Sequence, residues 1–420
     1  MLREVPVVRD LIKRCLRCGL CKIVCPVFQE IRREDESPRG RVFYVEMLRN
    51  GELEPNNKTI HEKMFNCLLC ESCRQICPSA IPVAEMITAA RAETARYNSS
   101  RTKRWVFQNL WANPKKLRLT VASLRYGQKL GMVSLGRALG LTRLLPGDLP
   151  KAERILGKIP DRAAREQLPP VSPAVGARKY RVAYFLGCAT DLLYPRVAVA
   201  TVGVLTRMGC EVVIPRDIKC CGLPSLANGE AETAKQLAAQ NAAVLQALDV
   251  DAVISDCASC TSTLRGPLYR DLFNGEWDQN IADVQVFIER AIGNIAPPHS
   301  PGKWRVTYHD ACHLARAQGI TQEPRRLLKQ IPGVELVEMT GADACCGGSG
   351  TFALTHYDLA MKILERKLAN INQTGAQVVA AACPSCLTQI SYGINQKGWP
   401  IKVMHPMELL YQAYQGLDNN

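Results

Sequence analysis

From Arg178 onward the apolar positions form short continuous runs of the kind that make buried strands, separated by longer stretches with helical spacing. The runs are RVAYFLG (181–187), CEVVIP (210–215) and DAVIS (251–255), with helices predicted over about 195–208 and 229–248. A second set follows: WRVTYHD (304–310), VELVEM (334–339) and AQVVAAA (376–382), with a helix after the first run and another over about 356–371. The second set repeats the first in kind and order. Strands alternating with helices predict two α/β domains, over 178–298 and 302–420, each with a parallel sheet covered by helices. In such sheets ligands bind beyond the carboxyl ends of the strands.

Upstream the pattern changes. Residues 1–100 predict a mostly helical domain, and 101–177 a basic helical linker region, so the fold class expected is α+β overall. Within the linker region, LRLTVASLRYGQKLGMVSLGRALGLTRLL (117–145) places apolar residues at helical spacing among Arg and Lys. The Pro-rich stretch LPPVSPAVG (168–176) marks a linker, and PPHSPGK (297–303) separates the two repeats.

Charge is local. Of the net +14, residues 101–150 contribute nine, from ten Lys/Arg against Asp148 alone. That segment has no nucleic-acid-binding signature, so no nucleic-acid partner is expected. It reads as a docking surface for a partner subunit, a peripheral contact with an anionic membrane, or a solvated linker. The N-terminus lacks an apolar signal region. The longest apolar run, VAVATVGVLT (197–206), is about half of what a membrane span needs. The expected location is the cytoplasm, with peripheral attachment to the inner face of the membrane as a variant.

A chain of 420 residues, 47% of them hydrophobic, builds its core without disulfides, so its 19 cysteines call for another explanation. In a reducing compartment, clustered cysteines read as metal ligands or redox groups. Two clusters have one spacing: Cys15-x2-Cys18-x2-Cys21-x3-Cys25-Pro, and Cys67-x2-Cys70-x2-Cys73-x3-Cys77-Pro. Zinc favours separated pairs; three close cysteines and a fourth before Pro match bacterial [4Fe–4S] sites, where the fourth ligates the other cluster. Cys15, Cys18, Cys21 and Cys77 are then expected to hold one cubane, and Cys67, Cys70, Cys73 and Cys25 the other. The 41 residues between Cys25 and Cys67 exceed the compact spacing, so an insertion containing SPRGR (37–41) is expected there.

Each α/β repeat carries five cysteines just after its strand ends: Cys188, Cys220, Cys221, Cys257 and Cys260, then Cys312, Cys345, Cys346, Cys383 and Cys386. Three loops are expected to bring each five to one sheet edge, with Gly222, Gly347 and Gly348 allowing close approach to a cofactor. Cys210, the remaining cysteine, reads as a buried structural thiol. His309, Asp310 and His313 flank Cys312 and read as strand-end and helix-cap packing more than as hydrogen-bonding neighbours of a cluster.

These spacings, with CGLCKIVCPVF, SPRGR, YHDACHLAR (308–316) and CCGGSGTFALTHYDLA (345–360), resemble a known family. Its members include the glycolate oxidase iron–sulfur subunit, the cysteine-rich subunits of heterodisulfide reductase, the lactate-utilisation iron–sulfur protein and one of the subunits of the anaerobic glycerol-3-phosphate dehydrogenase. The resemblance covers nearly the whole chain. It implies that each "CCG" five-cysteine domain holds a non-cubane [4Fe–4S] cluster, one or two in all. The chain keeps all ten cysteines, whereas the glycolate oxidase branch often lacks one. The resemblance further implies an electron-transfer subunit that serves a flavoprotein 2-hydroxyacid (glycolate or lactate) dehydrogenase, with an electron-transfer flavoprotein as another partner and a quinone or other carrier as acceptor. The alternative it leaves is a heterodisulfide-reductase-like catalytic subunit acting on disulfides. No GxGxxG follows a strand, so no flavin or NAD is expected on this chain.

Overall fold

The computed structural model describes residues 12–144, 147–273, 280–293, 295, 297, 299–300 and 302–415. The N-terminal residues read for a signal region, and Pro298 and Pro301 of the break between repeats, lie outside these. The N-terminal part is helical. Helix α1 (Val83–Asn98) packs across two shorter helices, Pro38–Asn50 and Lys58–Phe65. Their shared core holds Val42, Val45, Met64, Met86 and Ile87.

The SPRGR insertion opens the helix Pro38–Asn50. Ser37 caps it by accepting from Gly40 N, and Pro38 occupies the first turn. A Cβ on Gly40 would lie 2.3 Å from Glu34 O, so only glycine fits. Arg41 is fully buried on Glu36, which also receives Lys63 and Asn66. With its carboxylate fully hydrogen-bonded, this buried charge is compensated.

The linker region forms a hairpin of α2 (Pro114–Lys129) and α3 (Met132–Ala138), after a π-helical turn at Val106–Trp111. The chain then enters the first sheet, of strands β1 (Val171–Ser172), β2 (Tyr180–Tyr184), β3 (Cys210–Val213), β4 (Ala252–Ser255) and β5 (Ile281–Asp283). Its order is β1-β3-β2-β4-β5, parallel except for β1. The second sheet comprises β6 (Trp304–His309), β7 (Val334–Leu336), β8 (Val378–Ala381) and β9 (Lys402–Met404), ordered β7-β6-β8-β9 and parallel throughout. Main helices are α4 (Pro195–Arg207) and α5 (Ala231–Gln246) in the first repeat, and α6 (Tyr357–Gln373), α7 (Pro384–Lys397) and α8 (Pro406–Gln415) in the second.

The apolar runs account for three strands in each repeat; β5 and β9 add a fourth parallel one. Each has three residues, too short for a periodic signal. The Pro-rich stretch expected as a plain linker also contributes β1, whose Val171 pairs with Val213.

The two repeats share one core. Val182, Tyr184 and Leu205 from the first pack in the same cluster as Val306, Val378 and Leu410 from the second. Helix α4 lies against α8, and a Cβ on Gly203 would come within 2.2 Å of the Tyr411 ring. The repeats are therefore fixed against each other by interlocking helices, which determines where their strand ends meet.

Candidate metal centres

All 19 cysteines are free thiols. In the two N-terminal motifs the backbone wraps in the same way. Arg17 and Leu69, each just before the second cysteine of its motif, have φ of +53°. Gly19 and Glu71, each just after it, have φ of +86° and +58°. Left-handed non-glycine residues cost energy and persist where the surroundings enforce them. Here they curl each loop inward, so that Leu69 N donates to Cys67 Sγ at 3.4 Å. Such a loop suits a cluster that accepts hydrogen bonds on sulfur.

Cys25 is buried, with Cys70 and Cys67 beside it; burial pushes its thiol up to about 11. The fourth cysteine of the first motif thus lies at the second motif, as crossed ligation requires. Cys15, Cys67, Cys73 and Cys77 all pack against one apolar core, so the two motifs face each other across it.

In the repeats, the strand ends of both sheets face one chamber of about 220 Å³, lined by all ten of their cysteines. Cys188 Sγ lies 3.7 Å from Cys220 Sγ. From there thiols adjoin in an unbroken series: Cys220 to Cys221, Cys221 to Cys260, Cys260 to Cys257. Cys257 reaches across the repeats to Cys383, which adjoins Cys386; then come Cys346, Cys345 and Cys312. Cys345 also adjoins Cys70 of the second N-terminal motif. The series joins the duplicated domain to the N-terminal one.

The donor set fits iron. Contact with Cys220 and then burial push the Cys188 thiol well up, and contact with Cys345 and then burial do the same for Cys312. Packed thiols of this kind cannot all ionise in a bare protein; a metal core that supplies positive charge lets them bind as thiolates. Main-chain donors are in place: Gly347 N donates to Cys345 Sγ at 3.5 Å. Gly222 N and Gly348 N also face sulfur, of Cys220 and Cys346 respectively.

The three glycines expected at a cofactor have a second constraint. Gly222 and Gly347 have φ of +97° and +82°, and a Cβ on either would meet backbone of α5 and α6 respectively, at Ala234 O (3.1 Å) and Ala360 O (2.6 Å). The Cβ side of Gly348 faces Ser385 and Gln389. It is Gly187, missed in the sequence, whose Cβ would touch one of the clustered sulfurs, Cys260 Sγ at 3.0 Å. Its signal was its position just before Cys188.

Polar groups surround the thiols. The Trp111 indole faces Cys220 from the linker region, which also closes the chamber with Ile155 and Leu156. Arg316 donates to Cys70 O and to Asp343 and lies close to Cys312, putting a cation between the N-terminal domain and the second repeat. The buried Lys367 ammonium donates to Gly341 O and Ala342 O beside Cys345 and Cys346; burial pulls it down to about 8. Asp310 forms a buried bidentate pair with Arg325, the packing role expected of it. His313 Nδ1 bonds Ser259 Oγ at 2.8 Å, and Ser259 Oγ lies 3.4 Å from Cys383 Sγ, a contact that crosses the repeats. Cys210 is buried in β3 with its thiol pushed up to about 12 by burial, away from the chamber.

Comparisons with known proteins agree with this geometry. The 4Fe-4S dicluster domain matches residues 11–81. The cysteine-rich CCG domain matches 182–265 and again 306–391. The linker region of the glycolate oxidase iron-sulfur subunit matches 99–156. A fumarate reductase (CoM/CoB) subunit of Methanothermobacter marburgensis is 26% identical over 96% of this chain and 72% of its own length. Lactate utilization protein A of an Exiguobacterium species is 31% identical over 55% of this chain and 97% of its own length. The probable glycolate oxidase iron-sulfur subunit of Bacillus subtilis is 32% identical over 95% of this chain and 93% of its own. With matching N-terminal motifs, linker region and duplicated cysteine-rich domain, this chain is an iron–sulfur protein and belongs to the family of glycolate oxidase iron–sulfur subunits.

Proposed function

We propose that the chain is the electron-transfer subunit of a multi-subunit oxidoreductase. It would take electrons from a flavoprotein subunit that oxidises a 2-hydroxy acid such as glycolate or lactate, and deliver them to a quinone or another carrier. Cys15, Cys18, Cys21 and Cys77, and Cys67, Cys70, Cys73 and Cys25, are assigned to two cubane clusters, and the ten cysteines of the repeats to one or two non-cubane clusters. The groups themselves supply one-electron storage at potentials set by their surroundings. The observation that carries this reading is the thiol series from Cys70 through Cys345 to Cys257 and Cys188, which leaves no gap between the N-terminal domain and either repeat.

The hairpin α2–α3 is the surface we assign to docking. Leu119, Leu130, Met132, Leu135 and Leu139 are 60–74% exposed there, among Lys115, Lys116, Arg118 and Lys129. Exposed apolar residues ringed by cations fit an acidic partner subunit, flavoprotein dehydrogenase or electron-transfer flavoprotein, or the inner face of a membrane. Among the described residues no helix is long and apolar enough to cross a membrane. The test is anaerobic co-purification with the neighbouring flavoprotein and rapid mixing with hydroxy acid. Bleaching of the chain's visible absorbance at the rate of flavin oxidation supports the reading; an unchanged spectrum refutes it.

A second reading, disulfide reduction at the repeats, is favoured by one observation: Cys257 and Cys383 bring the two groups of five together across a single chamber. Turnover of a disulfide with reduced viologen supports it, and absence of turnover in a fully loaded chain rejects it.

A further inference from the structure

Among the differences between the two five-thiol sites, one puts a polar ring where the other repeat has an apolar one. Strands β2 and β6 occupy the same place in their sheets, and the residue three before the first cysteine of each set is Phe185 in one repeat and His309 in the other. Phe185 packs in the apolar core of its repeat. His309 is 1% exposed and lines the chamber, yet its Nδ1 has no hydrogen-bond partner. A ring nitrogen of His309 and the sulfurs of Cys346 and Cys386 lie within 4.8 Å of one another. Leaving a buried imidazole nitrogen unpaired forfeits its hydration with nothing in return, so a histidine at this place needs a partner that the protein's own atoms do not supply.

Gln389 lines the same chamber with its side-chain amide likewise unpartnered, while the charged neighbours are engaged. Lys367 is committed to two carbonyls and Asp310 to Arg325. An imidazole at this place carries at least one ring N–H whether neutral or protonated, so it can serve as a donor. Hydrogen bonds to cluster sulfurs raise reduction potential, because they stabilise the more negative, reduced form.

We infer that His309 is a positioning residue of the second five-thiol site, donating a ring N–H to sulfur at the Cys346–Cys386 pair, and that the duplicated sites are therefore inequivalent. This rests on the reading that the repeats hold iron–sulfur groups. Phe185 gives the first site no such donor.

The test uses the full chain, purified anaerobically with 15N-histidine, as wild type, His309→Phe and His309→Gln. His309→Phe installs the residue of the first repeat, and His309→Gln keeps an N–H donor. Iron and sulfide content is measured first: a wild-type chain with iron at the N-terminal motifs alone overturns the parent reading and this one together. With the repeats loaded, pulsed EPR is expected to show a weak 15N coupling of hydrogen-bonded strength in wild type. His309→Phe should lose it at unchanged iron content. One midpoint potential should move to more negative values in His309→Phe and return in part in His309→Gln. A coupling that survives His309→Phe, potentials that do not move, or a strong coupling typical of nitrogen bound directly to iron each overturns the assignment.

Discussion

Asp283 shows how much a single buried side chain can cost this fold. It ends β5 and caps the next helix, with Oδ1 accepting from Gln285 N and Gln285 Nε2, while Oδ2 has no partner. Burial pushes its carboxyl up to about 7, against the two Gln285 hydrogen bonds. An acid with a raised folded pKa binds its proton more tightly when folded, so stability falls as pH rises from about 4 to about 7 and stays lowered above that. Asp283→Asn keeps a good cap and removes the charge. It should stabilise the protein by about 2–4 kcal/mol at pH 8 and by little at pH 4–5. Thermal unfolding at both pH values checks this; equal shifts would contradict it. Gly40 makes the opposite case, since a Cβ there has no space against Glu34 O. Gly40→Ala should cost several kcal/mol, read as a lowered midpoint of the N-terminal transition.

At the scale of elements, the tightest joint is that between α4 and α8. Gly203→Ala forces a methyl into the Tyr411 ring, with an expected cost of about 1–3 kcal/mol. Tyr411→Leu should recover part of it in a double-mutant cycle; additive effects would show that the helices adjust independently. This joint was not legible in the sequence, because a glycine inside a helical pattern says nothing of its neighbour. The strands and helices that carry the cysteines were legible, since β2, β4, β6 and β8 are buried runs bounded by chemistry-bearing loops. The spacing of the ten cysteines likewise placed them at strand ends. What the pattern could not give was that two sheet edges turn toward one another. That depends on contacts between residues some 200 positions apart, such as Tyr194 with Thr388. His309 was masked for a related reason: beside a strand end, packing explains a histidine as well as a nearby sulfur does, until its lack of partners is seen.

For the whole molecule, the arrangement is a helical two-motif domain set on the second repeat at Cys70 and Arg316, and on the first at Arg91, whose guanidinium donates to Ala227 O. The linker hairpin presents its apolar residues on the outside. Replacing Leu130 and Leu135 by Ser should leave cluster content and folding unchanged, because both side chains are exposed, and should weaken flavoprotein or vesicle binding roughly tenfold if they carry about 1.4 kcal/mol between them. Unchanged binding would remove the hairpin from the interface. The central claim is that the thiols of the duplicated domain hold iron in continuity with the N-terminal motifs. Iron and acid-labile sulfide, measured per chain after anaerobic purification, test it most directly. The account predicts about sixteen of each if every site holds a four-iron cluster; about eight of each, or stoichiometric zinc in place of iron, would contradict it.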